Sequence, residues 1–235
     1  YTSAPPTVLL GGTLAPTFTT NFLFTVTVGG AAIVGDLQIN ANFTGKDEGN
    51  NDVIVTEAST PLVETVLDDS EVIITAMADD TGLGTYVQGM SLDVSIDLSN
   101  IGQLTATITT INLNFNGASG YSQFALAAPI VLAGGASDTA YITVNIGAGA
   151  DNGTIVIDAN AIGTEAVSGN PINVLSGGNE TSIVVLRSAA PQITLVEDLT
   201  AQGTYVEGET LDVRVTIVNN GEAIISNGVL GLIFN

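Results

Sequence analysis

Residues 84–89 read Gly-Thr-Tyr-Val-Gln-Gly and residues 203–208 read Gly-Thr-Tyr-Val-Glu-Gly, so one phrase returns 119 residues later. The runs behind the two phrases also match, Ser91-Leu92-Asp93-Val94-Ser95-Ile96-Asp97-Leu98 against Thr210-Leu211-Asp212-Val213-Arg214-Val215-Thr216-Ile217. Both copies then reach Asn-x-Gly and finish in Leu-x-Phe-Asn, at residues 113–116 and 232–235. A fixed spacing between similar segments is the signature of a repeat protein. The sequence therefore predicts tandem units of about 119 residues.

The start of the chain matches the second half of this unit. Residues 21–29 correspond to 139–147, and residues 35–42 correspond to 153–160, both with a shift of 118. Two shorter likenesses extend the match, Tyr1-Thr2-Ser3 with Tyr121-Ser122-Gln123 and Gly11-Gly12 with Gly134-Gly135. We therefore predict a C-terminal half-repeat at 1–66 (the first block), a complete repeat at 67–186 (the central repeat) and an N-terminal half-repeat at 187–235 (the last block).

The central repeat has the pattern of an all-β domain. Apolar residues recur at every second position, as in Leu92, Val94, Ile96 and Leu98, which indicates strands. Clusters of Gly, Asn and Asp separate these runs and are typical of turns. About seven short strands in such a unit favour an immunoglobulin-like β-sandwich. The predicted strands are A at Val72–Met77, B at Leu92–Leu98, C at Thr107–Phe115, a connecting strand at Pro129–Leu132, E at Ala140–Ile146, F at Thr154–Ala161 and G at Ser182–Leu186.

The composition excludes several classes of function. The chain has 24 acidic and three basic residues and a net charge of −21, with no histidine and no cysteine. Binding to nucleic acids or to anionic membrane surfaces needs clustered Lys and Arg side chains, so the charge of this chain argues against both. Absent cysteine removes disulfides, Cys-ligated zinc and thiol nucleophiles. No apolar run reaches the roughly 18 residues of a membrane helix. Because no signal peptide begins at Tyr1, we expect the chain to start within a longer protein or after its processing.

One segment of the last block resembles a known family. The phrase Gly208-x-x-Leu211-x-Val213-x-Val215-x-Ile217-x-Asn219-x-Gly221-Glu222-Ala223 is similar to the B-strand signature of CARDB-type and related immunoglobulin-like repeats. These repeats occur on bacterial and archaeal surface proteins. The resemblance implies a location on the cell surface and a place in stalks, adhesin arrays or surface layers. It also implies that the repeats are not enzymes in themselves.

The two half-repeats are predicted to need outside strands. In a sandwich of this order B pairs with E and C pairs with F, but the last block has only A, B and C. We expect its apolar positions to face water, namely Leu211, Val213, Val215, Ile217, Leu230, Leu232 and Phe234. The first block has only the second half of the repeat, so Phe22, Phe24, Val26 and Val28 are expected to lack the strands that would pack against them. Leaving such side chains exposed costs on the order of 10 kcal/mol, as much as the whole stability of a small domain. Either a longer tandem array or the end of another molecule would complete them, and the sequence leaves both open.

The sequence offers little for catalysis. Without His or Cys, the Ser-His and Cys-His nucleophile pairs are unavailable. Lys46, Arg187 and Arg214 are too few and too scattered to handle phosphate. A pair of carboxylates can hydrolyse glycosides, yet most acids here lie in turns or at outward strand positions such as Asp93 and Asp97. We predict that the chain is not an enzyme, with no catalytic residue and no bound cofactor.

Calcium is the one metal that the sequence suggests. Asp47, Glu48, Asn50 and Asp52 place oxygen ligands in one loop, and the run Asp68-Asp69-Ser70-Glu71 lies at a repeat junction. A solvated acidic loop is the alternative. The corresponding segments 164–170 and 187–192 have lost nearly all of these acids, which favours that alternative.

Two further surface features have functional and structural interpretations. Asn-x-Ser/Thr glycosylation sequons occur at Asn42, Asn152 and Asn179, one on an outward strand row and two in turns. Tyr86 and Tyr205 precede strand B in their repeats, where a ring covers the end of a sandwich. The alternative for the tyrosines is an aromatic platform that binds carbohydrate.

The sequence thus predicts an extracellular structural protein. Its first interpretation is a segment or subunit of a filament, sheath or surface layer, whose partners are other copies or adjacent repeats joined head to tail. A head-to-tail contact of this kind does not close on itself and generates filaments. The alternative is the stalk of a large cell-surface adhesin whose binding site lies elsewhere.

Overall fold

The structure is a computed structural model that describes residues 2–4, 14, 16–17, 19–30, 32–55, 60–201 and 203–234. The sequence likeness at Gly11-Gly12 and the last residue of the Leu-x-Phe-Asn phrase, Asn235, lie outside the described residues. The chain divides into two compact units, Tyr1–Asp68 and Asp69–Asn235. Every element of the described part is a β-strand.

The first unit has three two-stranded antiparallel sheets, β1 with β2, β3 with β6 and β4 with β5. The strands are β1 (Thr2–Ala4), β2 (Thr25–Thr27), β3 (Gly35–Ile39), β4 (Phe43–Lys46), β5 (Asp52–Val55) and β6 (Leu62–Val66). All side chains for which this unit's burial is described are at least partly exposed. The unit therefore has strand pairing among its described residues but no buried core there.

The second unit contains a β-sandwich and a short two-stranded sheet. Its strands are β7 (Val72–Asp79), β8 (Thr85–Val87), β9 (Ser91–Asn100), β10 (Ala106–Asn114), β11 (Tyr121–Gln123), β12 (Ile130–Leu132), β13 (Ser137–Ile146), β14 (Gly153–Glu165), β15 (Pro171–Leu175), β16 (Thr181–Leu186), β17 (Pro191–Asp198) and β18 (Val213–Asn219). One sheet has the order β11-β13-β9-β7, and the other has the order β12-β10-β14-β16-β8, with β15 also paired to β14. The all-β sandwich that the sequence predicts is confirmed.

The core lies between these two sheets because their strands alternate in polarity. In β9, Leu92, Val94, Ile96 and Leu98 are buried, and the Ser and Asp residues between them face outward. The facing sheet contributes β-branched and small side chains from β10, β14 and β16. β-Branched residues suit this position because they pack well on a pleated surface. Burial of these rows is the main stabilisation of the sandwich.

The predicted strands A, B, C, E, F and G correspond to β7, β9, β10, β13, β14 and β16, and B–E and C–F pair as expected. Sequence reasoning missed β8, β11 and β15. β8 is a three-residue strand within the repeated Gly-Thr-Tyr-Val phrase, and it pairs in parallel with β16. The long connection between β10 and β13 contributes one strand to each sheet, since β11 pairs with β13 and β12 pairs with β10.

A buried asparagine connects the two sheets at one end of the sandwich. The Asn100 side chain accepts hydrogen bonds from the backbone N–H groups of Glu71 (3.1 Å) and Gly102 (3.1 Å). Its amide donates to the carbonyls of Leu104 (2.8 Å) and Leu132 (3.0 Å). Because Asn100 is fully buried, these four bonds satisfy backbone groups that water does not reach.

The last block forms only part of what the sequence predicts. β17 and β18 are the counterparts of strands A and B and pair with each other. The strand C expected near residues 226–234 is not formed, which corrects that expectation. A strand needs a neighbour for its backbone groups, and β10 in the central repeat pairs with β12 and β14 on its two sides.

Candidate interaction surfaces

The last block reproduces the local geometry of the central repeat. The pairs of β7 with β9 run from Val72↔Asn100 to Asp79↔Val94 and include a bulge at Thr75. The pairs of β17 with β18 run from Pro191↔Asn219 to Asp198↔Val213, with the bulge at the corresponding Thr194. Every pair is displaced by 119 residues. The sequence therefore encodes the same A–B hairpin twice.

Side-chain hydrogen bonds are repeated as well. The Tyr86 hydroxyl donates to Asp79 (2.5 Å), and the Tyr205 hydroxyl donates to Asp198 (2.5 Å). Burial, followed by the hydrogen bond to Asp79, raises the pKa of Tyr86, and the Tyr205 hydroxyl lowers the pKa of Asp198. The Tyr86 ring is fully buried in the core between the sheets, so the alternative of a carbohydrate platform is wrong for Tyr86.

The first block likewise keeps the pairing of the second half of the sandwich. The pairs Ser122↔Asn145 and Gln123↔Val144 of β11 and β13 recur as Thr2↔Thr27 and Ser3↔Val26 of β1 and β2. The ladder of β14 and β16 recurs in β3 and β6, and the ladder of β14 and β15 recurs in β4 and β5. The registers agree after shifts of 118 to 120 residues. Each block thus has the hydrogen-bonded ladders that lie within its own half.

The two blocks differ from the central repeat in what they expose. Phe24, directly before β2, is 44% exposed, whereas its counterpart Ile142 is 1% exposed. Ile217 in β18 is 48% exposed, whereas its counterpart Leu98 is fully buried. The same contrast holds for Phe22, Val26 and Val28 in the first block and for Leu211 and Leu230 in the last, whereas the exposed Leu232 and Phe234 have partly buried counterparts. We call these two sets of exposed apolar residues the first-block face and the last-block face.

The acidic loop predicted to bind calcium is the turn between β4 and β5. The Asp47 carboxylate accepts hydrogen bonds from the Asn51 backbone (2.8 Å) and the Asn51 amide (2.9 Å), which lower the pKa of Asp47. Asp52 forms an ion pair with Lys46 at 3.0 Å. Asn50 has a left-handed backbone (φ 61°) at the tip of the turn, and Glu48 is exposed beside it. The described residues contain no group of three or more acidic side chains placed to hold one ion.

The residue of the central repeat that corresponds to Asp47 has a clear structural role. Its counterpart there is Glu165, which is buried and accepts a hydrogen bond from the Ser70 backbone at 2.5 Å. The Ser168 hydroxyl also donates to Glu165, and these bonds lower the pKa of Glu165. Ser70 and Glu71 belong to the second acidic run, residues 68–71. Their backbone N–H groups donate hydrogen bonds to the side chains of Glu165 and Asn100, respectively.

The three sequons have different surroundings. Asn42 is exposed between β3 and β4. The Asn152 amide donates to the Glu222 carboxylate at 3.1 Å. Asn179 is half-buried, and its amide donates to the Ile74 carbonyl at 2.8 Å. The side-chain nitrogen of Asn179, which would carry a glycan, thus bonds the carbonyl of a core strand.

A polar joint fastens the last block to the central repeat within the second unit. The Ser188 hydroxyl donates to the Gln88 carbonyl at 3.2 Å. Glu222 accepts a hydrogen bond from the Asn152 amide of the central repeat at 3.1 Å. Within the last block it also accepts a hydrogen bond from the Arg187 backbone at 2.8 Å and forms an ion pair with the Arg187 guanidinium at 3.3 Å. The backbone bond of Arg187 is the main cause of the lowered pKa of Glu222. The joint fixes the direction in which the last block leaves the sandwich.

The positive charges of the chain are all engaged. Lys46, Arg187 and Arg214, its only basic residues, pair with Asp52, Glu222 and Glu197, respectively. The remaining surface is acidic. Among the described residues no helix exists that is long and apolar enough to pass through a bilayer.

Comparison with known proteins gives likenesses of fold only. No family model matches the chain, and no curated protein sequence matches it. The FixG-related protein from Vibrio parahaemolyticus is 12% identical with a TM-score of 0.33, over 51% of this chain and 98% of that one. The Bacillus subtilis sporulation control protein Spo0M is 9% identical with a TM-score of 0.31, over 57% and 60%. The Bacillus cereus major pilin subunit BcpA is 9% identical with a TM-score of 0.27, over 80% of each chain. At these scores the likenesses assign no function.

Proposed function

We propose that this chain is a structural segment of an extracellular filament, sheath or surface layer, in which half-sandwiches complete one another head to tail. One observation carries the proposal. The first and last blocks keep the strand registers of the central sandwich but expose the apolar faces that the central repeat buries. Exposed apolar faces of this extent mark interaction surfaces.

The chemistry of the chain supports a structural role over an enzymatic one. Histidine and cysteine are absent from the sequence, and the three basic residues are held in ion pairs. The acids that have clear roles bond backbone amides, as Glu165 and Glu222 do. The CARDB-type resemblance and the extracellular location belong to this proposal. So does the absence of an enzymatic activity.

A head-to-tail contact through two different faces does not close on itself, so it adds units without limit. The polar contacts of Ser188 with Gln88 and of Glu222 with Asn152 hold the last block to the central repeat. The high negative charge of the chain opposes lateral association of the head-to-tail polymers. These features favour a linear fibre over a globular aggregate.

Light scattering and negative-stain electron microscopy of the purified chain test the proposal. The mean mass is expected to rise with protein concentration, and linear fibres are expected at the upper end. Ile217→Asp places a charge on the last-block face and is expected to stop this growth. The matched control is Val131→Asp, which adds the same charge to an exposed aliphatic position on β12. Monomers at every concentration, or equal growth of the two variants, would contradict the proposal.

A further inference from the structure

We propose that the last-block face of one copy and the first-block face of a second copy form a composite sandwich, in which β18 pairs antiparallel with β2 in the register that joins β9 to β13. The inference rests on the proposed function and adds to it the partner strand, the residue pairs and two further contacts.

The central repeat supplies the template for this register. There β13 and β9 pair through Ile142↔Val94, Thr143↔Asp93 and Val144↔Leu92. The shifts of 118 and 119 residues that relate the blocks to the central repeat convert these pairs into Phe24↔Val213, Thr25↔Asp212 and Val26↔Leu211. The ladders within each block already follow the template, so the ladder between the two halves is the one that the described strands do not form.

The inward side chains of the composite are apolar on both strands. Phe22, Phe24 and Val26 of β2 and its flank would face Leu230 and Leu232 of the second copy, across the sandwich. Burying about ten half-exposed apolar side chains and the backbone between them removes on the order of 1,000 Å² of surface, which is the lower limit for a biological interface.

The outward face carries a second match. In the central repeat the Thr143 hydroxyl donates to the Asp93 carboxylate at 2.6 Å, across the two strands. The converted pair, Thr25 and Asp212, has the same two residue types in the same order. Core packing does not require this identity, since both side chains point to solvent. A cross-strand hydrogen bond in the composite accounts for it.

Asn219 and Leu14 provide a third contact. Asn219 repeats three of the four hydrogen bonds of Asn100, to the N–H groups of Ala190 (3.0 Å) and Gly221 (3.0 Å) and to the Ala223 carbonyl (2.8 Å). The fourth bond of Asn100 crosses the sandwich to the Leu132 carbonyl. The shift of 118 converts Leu132 into Leu14 of the first block. In the composite, Asn219 of one copy donates to the Leu14 carbonyl of the other.

Gly45 marks where the two backbones approach. Its counterpart Gly163 has no room for a side chain, because a Cβ there would lie 2.1 Å from the Thr107 carbonyl oxygen of β10. Within one chain a Cβ on Gly45 would meet only the ring of Phe43, at 3.2 Å. The composite explains a glycine at this position, since residues 226 and 227 of the second copy would pass it as β10 passes Gly163.

Cysteine pairs test the register, because the chain has no cysteine of its own. Four single variants are made, Thr25→Cys, Thr27→Cys, Asp212→Cys and Thr210→Cys, and each first-block variant is mixed with each last-block variant under mild oxidation. The pairs 25 with 212 and 27 with 210 are directly opposite in the proposed register. The pairs 25 with 210 and 27 with 212 are displaced by two residues, beyond the reach of a disulfide. The double variant Asp93→Cys/Thr143→Cys is the positive control, since the structure shows that pair in contact.

The expected result is at least a tenfold excess of double-mass product from the two opposite pairs over the two displaced pairs. Equal yields, or an excess from the displaced pairs, would overturn the register, while undiminished fibre growth in light scattering would leave the proposed function intact. No cross-linking between copies together with no growth would overturn both. A double variant Thr25→Cys/Asp212→Cys that oxidises only within single chains would overturn pairing between copies.

Discussion

Replacing Asn100 with alanine is expected to be far more damaging than replacing Asn219, although the two residues make nearly the same hydrogen bonds. Asn100 is fully buried, and its removal leaves two backbone N–H groups and two carbonyls without their partner. Each unsatisfied buried group costs about 1–3 kcal/mol, and some of the four groups regain water in the space left behind. We expect Asn100→Ala to lower the free energy of unfolding by about 4 kcal/mol.

The matched variant Asn219→Ala removes three corresponding bonds at an exposed position. Water replaces them there, so the loss is expected to stay below about 1 kcal/mol. Urea unfolding followed by far-ultraviolet circular dichroism, at dilutions where the chain is monomeric, measures both. With a slope of about 2 kcal/mol per molar urea, Asn100→Ala should shift the midpoint by about 2 M and Asn219→Ala by less than about 0.5 M. Equal shifts would refute the reasoning that burial, and not the number of hydrogen bonds, sets the cost.

Three further predictions follow from single contacts. Gly163→Ala is expected to lower the free energy of unfolding by about 3 kcal/mol, as overpacked cores do, whereas Gly45→Ala should leave the free energy of unfolding of the monomer unchanged. Urea unfolding measures both, and a larger loss for Gly45→Ala would contradict the packing at β10. The pKa of Glu165 is lowered in the folded protein, so its stabilisation is present above the ordinary glutamate pKa and disappears as pH falls through the folded value. Thermal unfolding between pH 5 and pH 3 should therefore change less in Glu165→Gln than in the unaltered protein, and an identical pH profile would show that the hydrogen bond from Ser70 has no such effect. Asn179→Ala should cost about 1 kcal/mol by loss of its bond to the Ile74 carbonyl, while Asn42→Ala at an exposed site should cost nothing measurable in the same melt.

The alternation of apolar and polar residues was sufficient to predict the main strands of the sandwich. Leu92, Val94, Ile96 and Leu98 share one face only in a strand, and this pattern located β9 and its partner β13. The period of the repeat then placed the corresponding hairpin of the last block at β17 and β18. These features follow from side-chain chemistry that is local in sequence.

The missed features depend on contacts between distant segments. β8 and β11 have three residues each, which is too short for a periodic pattern, and they exist because β16 and β13 offer them an edge. The role of Asn100 was also missed, although Asn100 and Asn219 begin the Asn-x-Gly phrase in the two copies of the repeat. The composition around Asp47 predicts a calcium site, and the sequence alone does not show that Asn51 bonds the Asp47 carboxylate or that Lys46 pairs with Asp52.

The parallel pairing of β8 with β16 has a mechanical consequence for a chain pulled along its length. The strand near the entry to the sandwich and the strand at its exit lie side by side and run in the same direction, from Thr85↔Val184 to Leu186↔Val87. β7 lies between residue 69 and β8, so tension applied at residues 69 and 187 reaches β8 once β7 has separated from β9. It then loads the hydrogen bonds between β8 and β16 together, in shear, where an antiparallel end pair opens one bond at a time. Rupture would then be set by the rate of forced unfolding of this one strand pair. Single-molecule pulling from those two positions is expected to require a higher force than pulling from residues 69 and 135.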